Sequence, residues 1–373
     1  MNLRTLEQRL ALPIFGRRRA APIGTDFAAE RLNMLQMETR DGATAVRAAI
    51  SMPYPGERDA LFADTRKLKS FVQAALSDAP FSGRRVYSSL PPADVRILPL
   101  TAQVAAGQSE AQAVAKAVRE HLGVAVAESV VDYCQVRSLE AEGPERQVLV
   151  AVAQQRKVLA YLDTLRAAGF DPVALDIGPA AIARLLAAMH REDYEQSVLL
   201  INFGLNKSFL TVVWGRRLML DREIDFGETK LASKLANSLG LEQDIALALL
   251  REHGIGGPGR GQHTDGAAPL DVGRTIREIL HPELALLAEE LSRTQVYVAS
   301  RTRGGSVSRV YLNGSAARYP NIQSRISELV ALPVDVLNPF DAFATAPSVT
   351  PGADVEQGIA LAAGLALRED RHG

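Results

Sequence analysis

Residues 22–36, PIGTDFAAERLNMLQ, and residues 198–213, VLLINFGLNKSFLTVV, are two copies of one pattern. In each, an apolar run reaches an acid or its amide (Asp26, Asn202), then a phenylalanine (Phe27, Phe203) and a small residue (Ala28, Gly204). A cation (Arg31, Lys207) and a second apolar run follow. Short apolar stretches around a polar break read as strand, tip, strand. A hairpin that recurs in each half of the chain predicts a duplicated fold, with two lobes that each turn a tip toward a shared cleft. Backbone N–H groups at such tips can cradle the phosphates of a nucleotide.

Composition agrees with two lobes and narrows the function. A chain of 373 residues suits two domains or a duplicated one. With 47% hydrophobic residues and a formal net charge of -1, neither disorder nor an electrostatic footprint for nucleic acid is expected. The single cysteine, Cys134, forms no internal disulfide, and the six histidines lack metal-ligand spacing, which fits a reducing cytoplasm and no zinc site. No run approaches the length of a membrane-spanning helix, so any contact with a membrane is expected to be peripheral. The Arg17–Arg18–Arg19 cluster after an amphipathic leader either touches an anionic surface or is simply solvated.

Outward from the first hairpin, residues 44–55 predict a third strand, and residues 64–79 a helix with apolar positions at Leu68, Phe71, Val72, Ala75 and Leu76. A strand at 84–90 follows, and this order is the opening of a ribonuclease-H-like lobe. Residues 95–153 predict a small strand, helix, strand, strand unit whose helix stops at Gly123. The helix over 155–169 is expected to turn Val158, Leu159, Leu162 and Leu165 inward, ahead of a strand at 170–177 and a helix opened by Pro179. After the second hairpin come a meander over 214–227, the Gly-rich segment 254–269, helices at 282–300 and 322–330, strands at 308–315 and 333–339, and a terminal helix over 355–369. The Gly-rich segment lacks the Lys-Ser/Thr of a P-loop and reads as a surface loop.

The order and spacing of several segments resemble the type IV pilus assembly protein PilM family, actin-like relatives of the cell-division protein FtsA. They include IFGRRRAAPIGTDF, VYSSLPPADVRILPL, VVDYCQV, VLVAVAQQRKVLAYLDTLRAAGFDPVALDIGPAAIARLL, SVLLINFGLNKSFLTVVWGRRLMLDREIDFGETKL, RVYLNGSAARYPNIQSRISELVALPVDVLNPF and GIALAAGLALR. The resemblance implies an α/β, duplicated ribonuclease-H-like, actin-like ATPase fold. Its first lobe would span 1–195 and include an inserted α/β subdomain at about 92–171, and its second lobe would span 196–373. It also implies a cytoplasmic adaptor on the inner face of the inner membrane, which holds the tail of a PilN-like bitopic protein and links it to the pilus motor and platform. Val95 and Ile97 of the insert are candidates to line the groove for that tail.

Nucleotide-binding members of the family carry, in the first loop, an Asp, an apolar residue, a Gly and small hydroxyl residues. This chain keeps Asp26, which would orient magnesium, but has Ala28 for the glycine and Glu30 and Arg31 for the hydroxyls. The second loop keeps Gly204 and Ser208, offers Asn206 and Lys207, and has Asn202 for the acid. Leu247 and Leu250 stand where the family has a Glu and a Lys for ribose and base, and the third loop reads Gly314–Ser315. ATP with magnesium is therefore a candidate ligand of a degenerate cleft, through Asp26, Arg31, Asn202, Gly204, Asn206, Lys207, Gly314 and Ser315, while efficient hydrolysis is not expected. Lys207 is either a phosphate counter-charge or an ordinary hairpin-tip lysine, and Asp176 is either a cleft carboxylate or a helix cap. His190 and His253 have no nucleophile partner in sight. Three competing roles remain: an ATP-driven actin-like switch, a component of a type II secretion (GspL-like) machine, and a small-molecule kinase. The last lacks a general base at a convincing position.

Overall fold

The computed structural model describes residues 20–368 except 41, 124–127, 137–142, 191–194, 257–271, 347–348, 350–351, 353–354 and 356–357. The arginine cluster at 17–19 and most of the Gly-rich segment lie outside the described residues. Three antiparallel strands, β1 (Ile23–Phe27), β2 (Arg31–Arg40) and β3 (Ala43–Pro53), open the first lobe. Two helices follow, α1 (Arg58–Ala63) and α2 (Thr65–Asp78), and then β4 (Arg85–Ser89), which runs parallel to β1. The Asp64 side chain accepts hydrogen bonds from the N–H groups of Arg66 and Lys67 and so starts α2. Leu68, Val72 and Ala75 then fall on one buried face of that helix.

The insert consists of β5 (Val95–Gln103), α3 (Glu110–Leu122), β6 (Ser129–Gln135) and β7 (Glu145–Gln154), with the strands in the order β5-β7-β6. A capping box between Ser109 and Gln112 begins α3, and Gly123 at φ 62° ends it. Val114 and Val118 of that helix cover Ala102, Val148 and Val150. The insert's own sheet spans Val95–Gln154, and α4 (Gln155–Ala167) follows it and packs on the first lobe's core. One sequence expectation shifts here. The inward face of α4 is Tyr161 and Leu165 with Val158, whereas Leu159 is exposed. The Tyr161 hydroxyl bonds the buried Ser88 Oγ at 2.9 Å, a polar anchor that only this orientation of the helix can make.

β8 (Asp171–Asp176) lies parallel to β4, and α5 (Gly178–Met189) carries the chain into the second lobe. There β9 (Ser197–Phe203), β10 (Ser208–Trp214) and β11 (Arg217–Ile224) repeat the antiparallel opening. Helices α6 (Glu228–Leu239), α7 (Gln243–His253) and α8 (Val272–Arg301) precede β12 (Val307–Gly314), which runs parallel to β9. The helix expected at 282–300 in fact runs through Pro282 from Val272, because Ile276, Leu280, Leu284, Leu287 and Leu291 form one continuous buried stripe. Burying that stripe outweighs the hydrogen bond that the proline forfeits.

The chain then forms α9 (Ile322–Val330), β13 (Val334–Val336), β14 (Ala344–Thr345) and α10 (Ala360–Ala366). The resulting sheets are β14-β3-β2-β1-β4-β8 in the first lobe and β11-β10-β9-β12-β13 in the second. The last two elements return to the first lobe: β14 adds to β3, and α10 lies across β1 and against α5. A Cβ on Gly24 would sit 1.9 Å from the Ala362 carbonyl oxygen, and one on Gly364 would sit 2.2 Å from that of Ala181. Bare backbone at both positions is what lets β1, α10 and α5 touch. One apolar core joins Leu35, Val46, Leu149, Leu185, Leu186, Leu200, Val213 and Ala363, so both lobes, the insert and the two crossing helices share it.

Candidate functional site: the interlobe cleft

The first tip is fixed from below by a row of polar side chains on one face of the sheet. Register places Asp26 opposite Asn33, and Asn33 opposite Ser51. Asn33 Nδ2 donates to Asp26 Oδ2 at 3.2 Å, Ser51 Oγ donates to Asn33 Oδ1 at 2.7 Å, and Arg31 Nε donates to Ser51 Oγ at 2.9 Å. Arg31 also donates to the Ser51 carbonyl at 2.8 Å, so its guanidinium is folded along the sheet. Burial pushes the Asp26 carboxyl up to about 6, with the Asn33 hydrogen bond and the Arg58 charge pulling the other way. Tyr54 holds the tip itself: its N–H donates to the Glu30 carbonyl at 3.0 Å and its hydroxyl to the Ala28 carbonyl at 2.9 Å.

The second tip is held by the start of α6. Glu228 N–H donates to the Gly204 carbonyl at 3.1 Å, and Thr229 N–H donates to the Leu205 carbonyl at 2.8 Å. A Cβ on Gly204 would meet the Lys207 carbonyl oxygen at 2.2 Å, and one on Gly227 would meet Asn206 backbone at 2.5 Å. These glycines are thus demanded by the turn itself. Asn202 Oδ1 accepts from Asn313 Nδ2 at 3.0 Å across the parallel pair β9–β12. Lys207 Nζ sits 2.9 Å from Asp225 Oδ1, and Lys230 also approaches Asp225, whose carboxyl is held below its usual value by hydrogen bonds from both lysines. In the third loop Gly314 has φ 91°, and its Cβ position would lie 2.0 Å from the Phe203 carbonyl oxygen, while the Ser315 hydroxyl is buried without a hydrogen-bond partner. Leu247 and Leu250 belong to the second lobe's core, and Leu250 is fully buried there.

The two lobes meet above these groups. Arg251, in the last turn of α7, lies 2.8 Å from Glu30 Oε1 of the first tip. Behind it the Tyr319 hydroxyl donates to buried Glu228 Oε1, and Tyr319 is pushed well above the usual tyrosine range by burial and by that carboxylate, with Glu30 adding to it. Sequence reasoning singled out Glu30 only as a lost hydroxyl and gave no signal for Arg251, Glu228 or Tyr319, because partners 221 and 91 residues apart share no local pattern. Asp221, a second buried acid with a carboxyl pushed up to about 6 by burial, accepts from Thr211 Oγ1 at 2.6 Å. Its place in the apolar stretch Leu218–Met219–Leu220 was the one available hint.

The other candidates lie elsewhere. Asp176 is neither free in the cleft nor the N-cap of α5: its Oδ2 lies 2.8 Å from both Arg184 and Arg368, and Ile177 N–H donates to its Oδ1 at 2.8 Å. His190 Nε2 shares a 2.9 Å hydrogen bond with the Tyr311 hydroxyl, and His253 lies beside Glu252 at the end of α7. Val95 and Ile97 are half-buried on β5, an outer strand of the insert, where Val95 packs toward the first lobe's core and Ile97 toward the shared core. Among the described residues, no cluster of three or more His, Cys, Asp or Glu could hold a metal ion, and no helix is long and apolar enough to cross a membrane.

Comparison with known proteins places this geometry. A solved PilM-PilN type IV pilus biogenesis complex matches with a TM-score of 0.72 at 23% identity, covering 94% of this chain and 98% of that one. The ethanolamine utilization protein EutJ of Carboxydothermus hydrogenoformans matches at TM-score 0.48 and 13% identity, over 93% of this chain and 89% of that one. MreB5 of Spiroplasma citri bound to ADP matches at 0.43 and 13%, over 86% and 92%. The fold is that of the actin-like ATPases. A family model described as type IV pilus assembly protein PilM matches residues 24–260 and 261–370, which takes in both hairpins, the insert and the returning helix. The chain belongs to the type IV pilus assembly protein PilM family.

Proposed function

We propose that this chain is a scaffold of type IV pilus assembly that captures the cytoplasmic tail of a PilN-like inner-membrane protein and does so without hydrolysing ATP. The observation that carries the second half is the chemistry of the tips. The first tip offers a carboxylate, Glu30, engaged by Arg251, where a triphosphate needs hydroxyl and N–H donors. The second offers an amide, Asn202, engaged by Asn313, where magnesium and its waters favour a carboxylate. Arg31 and Lys207, the cations that the two hairpins themselves carry, are turned to Ser51 and Asp225. Gly204 and Gly314 answer to local backbone contacts, so their presence does not by itself argue for a nucleotide. These groups do not fit a magnesium nucleotide.

Family membership and the neighbouring complex support the tail partner. An extended peptide gains main-chain hydrogen bonds along a strand edge and a few apolar pockets, and β5 supplies an outer strand with Val95 and Ile97 at the seam to the first lobe. Attachment to the inner membrane then comes through the bitopic partner, and contacts with motor and platform components would build on that anchor. Calorimetric titration tests both halves. A synthetic PilN-like tail peptide should bind with measurable heat, magnesium ATP should give none, and Asp26→Ala should leave peptide binding intact. Ile97→Asp should abolish binding in a protein whose circular dichroism is unchanged, with Ile97→Ala weakening it. No heat with the tail peptide would overturn the first half, phosphate release from magnesium ATP would overturn the second, and peptide affinity unmoved by both Ile97 variants would remove Ile97 from the groove.

A further inference from the structure

We propose that the Glu30–Arg251 ion pair is a latch that holds the two lobes together from within the chain, in place of a ligand bridging them. The proposal rests on the reading of the cleft as one whose groups do not fit a magnesium nucleotide; its test uses no tail peptide, so failure here and failure of tail capture are distinguishable.

Both ends of the pair are aimed by rigid supports. Glu30 follows Ala28 and Ala29 at a tip that Tyr54 clamps twice, through its N–H and its hydroxyl. Arg251 lies in the last turn of α7, and that end of the helix is seated tightly on the third loop: Gly254 has φ 68°, and its Cβ position would be 2.0 Å from the Pro320 carbonyl oxygen. The residues just beyond, Tyr319 and Glu228, are locked to each other. Closing the pair therefore joins two pre-set bodies and orders little besides the two side chains, which limits the entropic cost. About half of each side chain remains exposed, 55% for Glu30 and 49% for Arg251, so the attraction is modest and salt-sensitive. A modest bias is what a latch needs if the lobes are to open when a partner pulls on the first one.

Arg251 also has a local reason to exist, since a cation favours the C-terminal end of a helix. Hydrogen exchange by mass spectrometry on the full chain, without nucleotide, separates the two roles. Glu30→Gln and Arg251→Gln should each speed exchange about 1.5- to 5-fold in both the first tip and the end of α7, the range expected of exposed ion pairs. Raising the salt to about 1 M should do the same to the wild type, because the screening length falls to about 3 Å. The double variant Glu30→Arg with Arg251→Glu should return exchange to near the wild-type rate despite placing an anion at the helix end. If Glu30→Gln leaves α7 untouched, or if the charge swap exchanges faster than either single variant, the latch is refuted. Magnesium ATP added to Glu30→Gln should restore nothing, and restored protection would show a ligand doing the bridging instead.

Discussion

Replacing Gly24 with alanine should do more damage than its size suggests. Gly24 lies in β1 between Leu35 of β2 and Tyr87 of β4, in extended backbone that any residue adopts, so conformational freedom is not the reason for glycine. Contact is the reason: the added methyl would fall 1.9 Å from the Ala362 oxygen and 2.6 Å from the Ala366 nitrogen. Normal van der Waals contact needs about 3.5–4.0 Å, so α10 would have to retreat by about 1.5 Å. The obstructing atoms are backbone, which cannot rotate aside. Overpacking typically costs about 1–3 kcal/mol, and this site belongs at or above the top of that range. For a cooperative unit of lobe size, about 3 kcal/mol corresponds to a melting point lower by about 6–12 °C. Differential scanning calorimetry of Gly24→Ala beside Gly178→Ala measures it, because a Cβ on Gly178 meets nothing within 4 Å. Gly178→Ala should stay within about 0.5 kcal/mol of the wild type. A Gly24→Ala protein as stable as Gly178→Ala would refute the close crossing of α10 over β1.

Other outcomes follow from the buried polar groups. Asp221 has its carboxyl raised from 3.8 to about 6 in the folded chain, so the protonated form is favoured there, and its contribution is full below about pH 4 and lost as pH rises through 6. The stability of Asp221→Asn relative to the wild type should therefore grow by about 2 kcal/mol between pH 4 and 7.5 in urea titrations, and a constant difference would show that the carboxyl is not held in this way. Asp176→Asn removes the charge that gathers Arg184 and Arg368, and should cost about 2 kcal/mol with faster proteolysis near α10; equal stability would deny the clamp a structural role. Tyr319→Phe takes the one hydrogen-bond donor that the described residues offer the buried Glu228 carboxylate and should destabilise by about 1–3 kcal/mol, measured by thermal melting, with no change expected if water reaches that site freely.

Much of the architecture is legible in the sequence because its signals are local. The duplicated hairpins, the 3.6-residue spacing of α2, the glycine that stops α3 and the short apolar runs of β9 and β10 each depend on neighbours within a few positions. The same locality explains the resemblance to the type IV pilus assembly protein PilM family, since the order of such segments survives when individual residues drift. Errors arose where long-range burial outvoted a local mark. Pro282 lies inside α8 because its flanking leucines are needed in the core, and Tyr161 rather than Leu159 turns inward on α4 because Ser88 offers its hydroxyl a partner.

The state of the candidate cleft belongs to the tertiary structure. Sequence alone determined which groups stand at the tips: Asp26 without its glycine, Glu30 in place of a hydroxyl, and Asn202 in place of an acid. Whether those groups face a ligand or one another depends on backbone paths that bring together Glu30 and Arg251, Asn202 and Asn313, and Glu228 and Tyr319. The return of β14 and α10 to the first lobe is of the same kind, set by a strand edge on β3 and two bare glycines rather than by any pattern near residue 344. Periodicity and capping are written in consecutive residues, whereas pairing across a cleft is fixed only when the whole chain has packed.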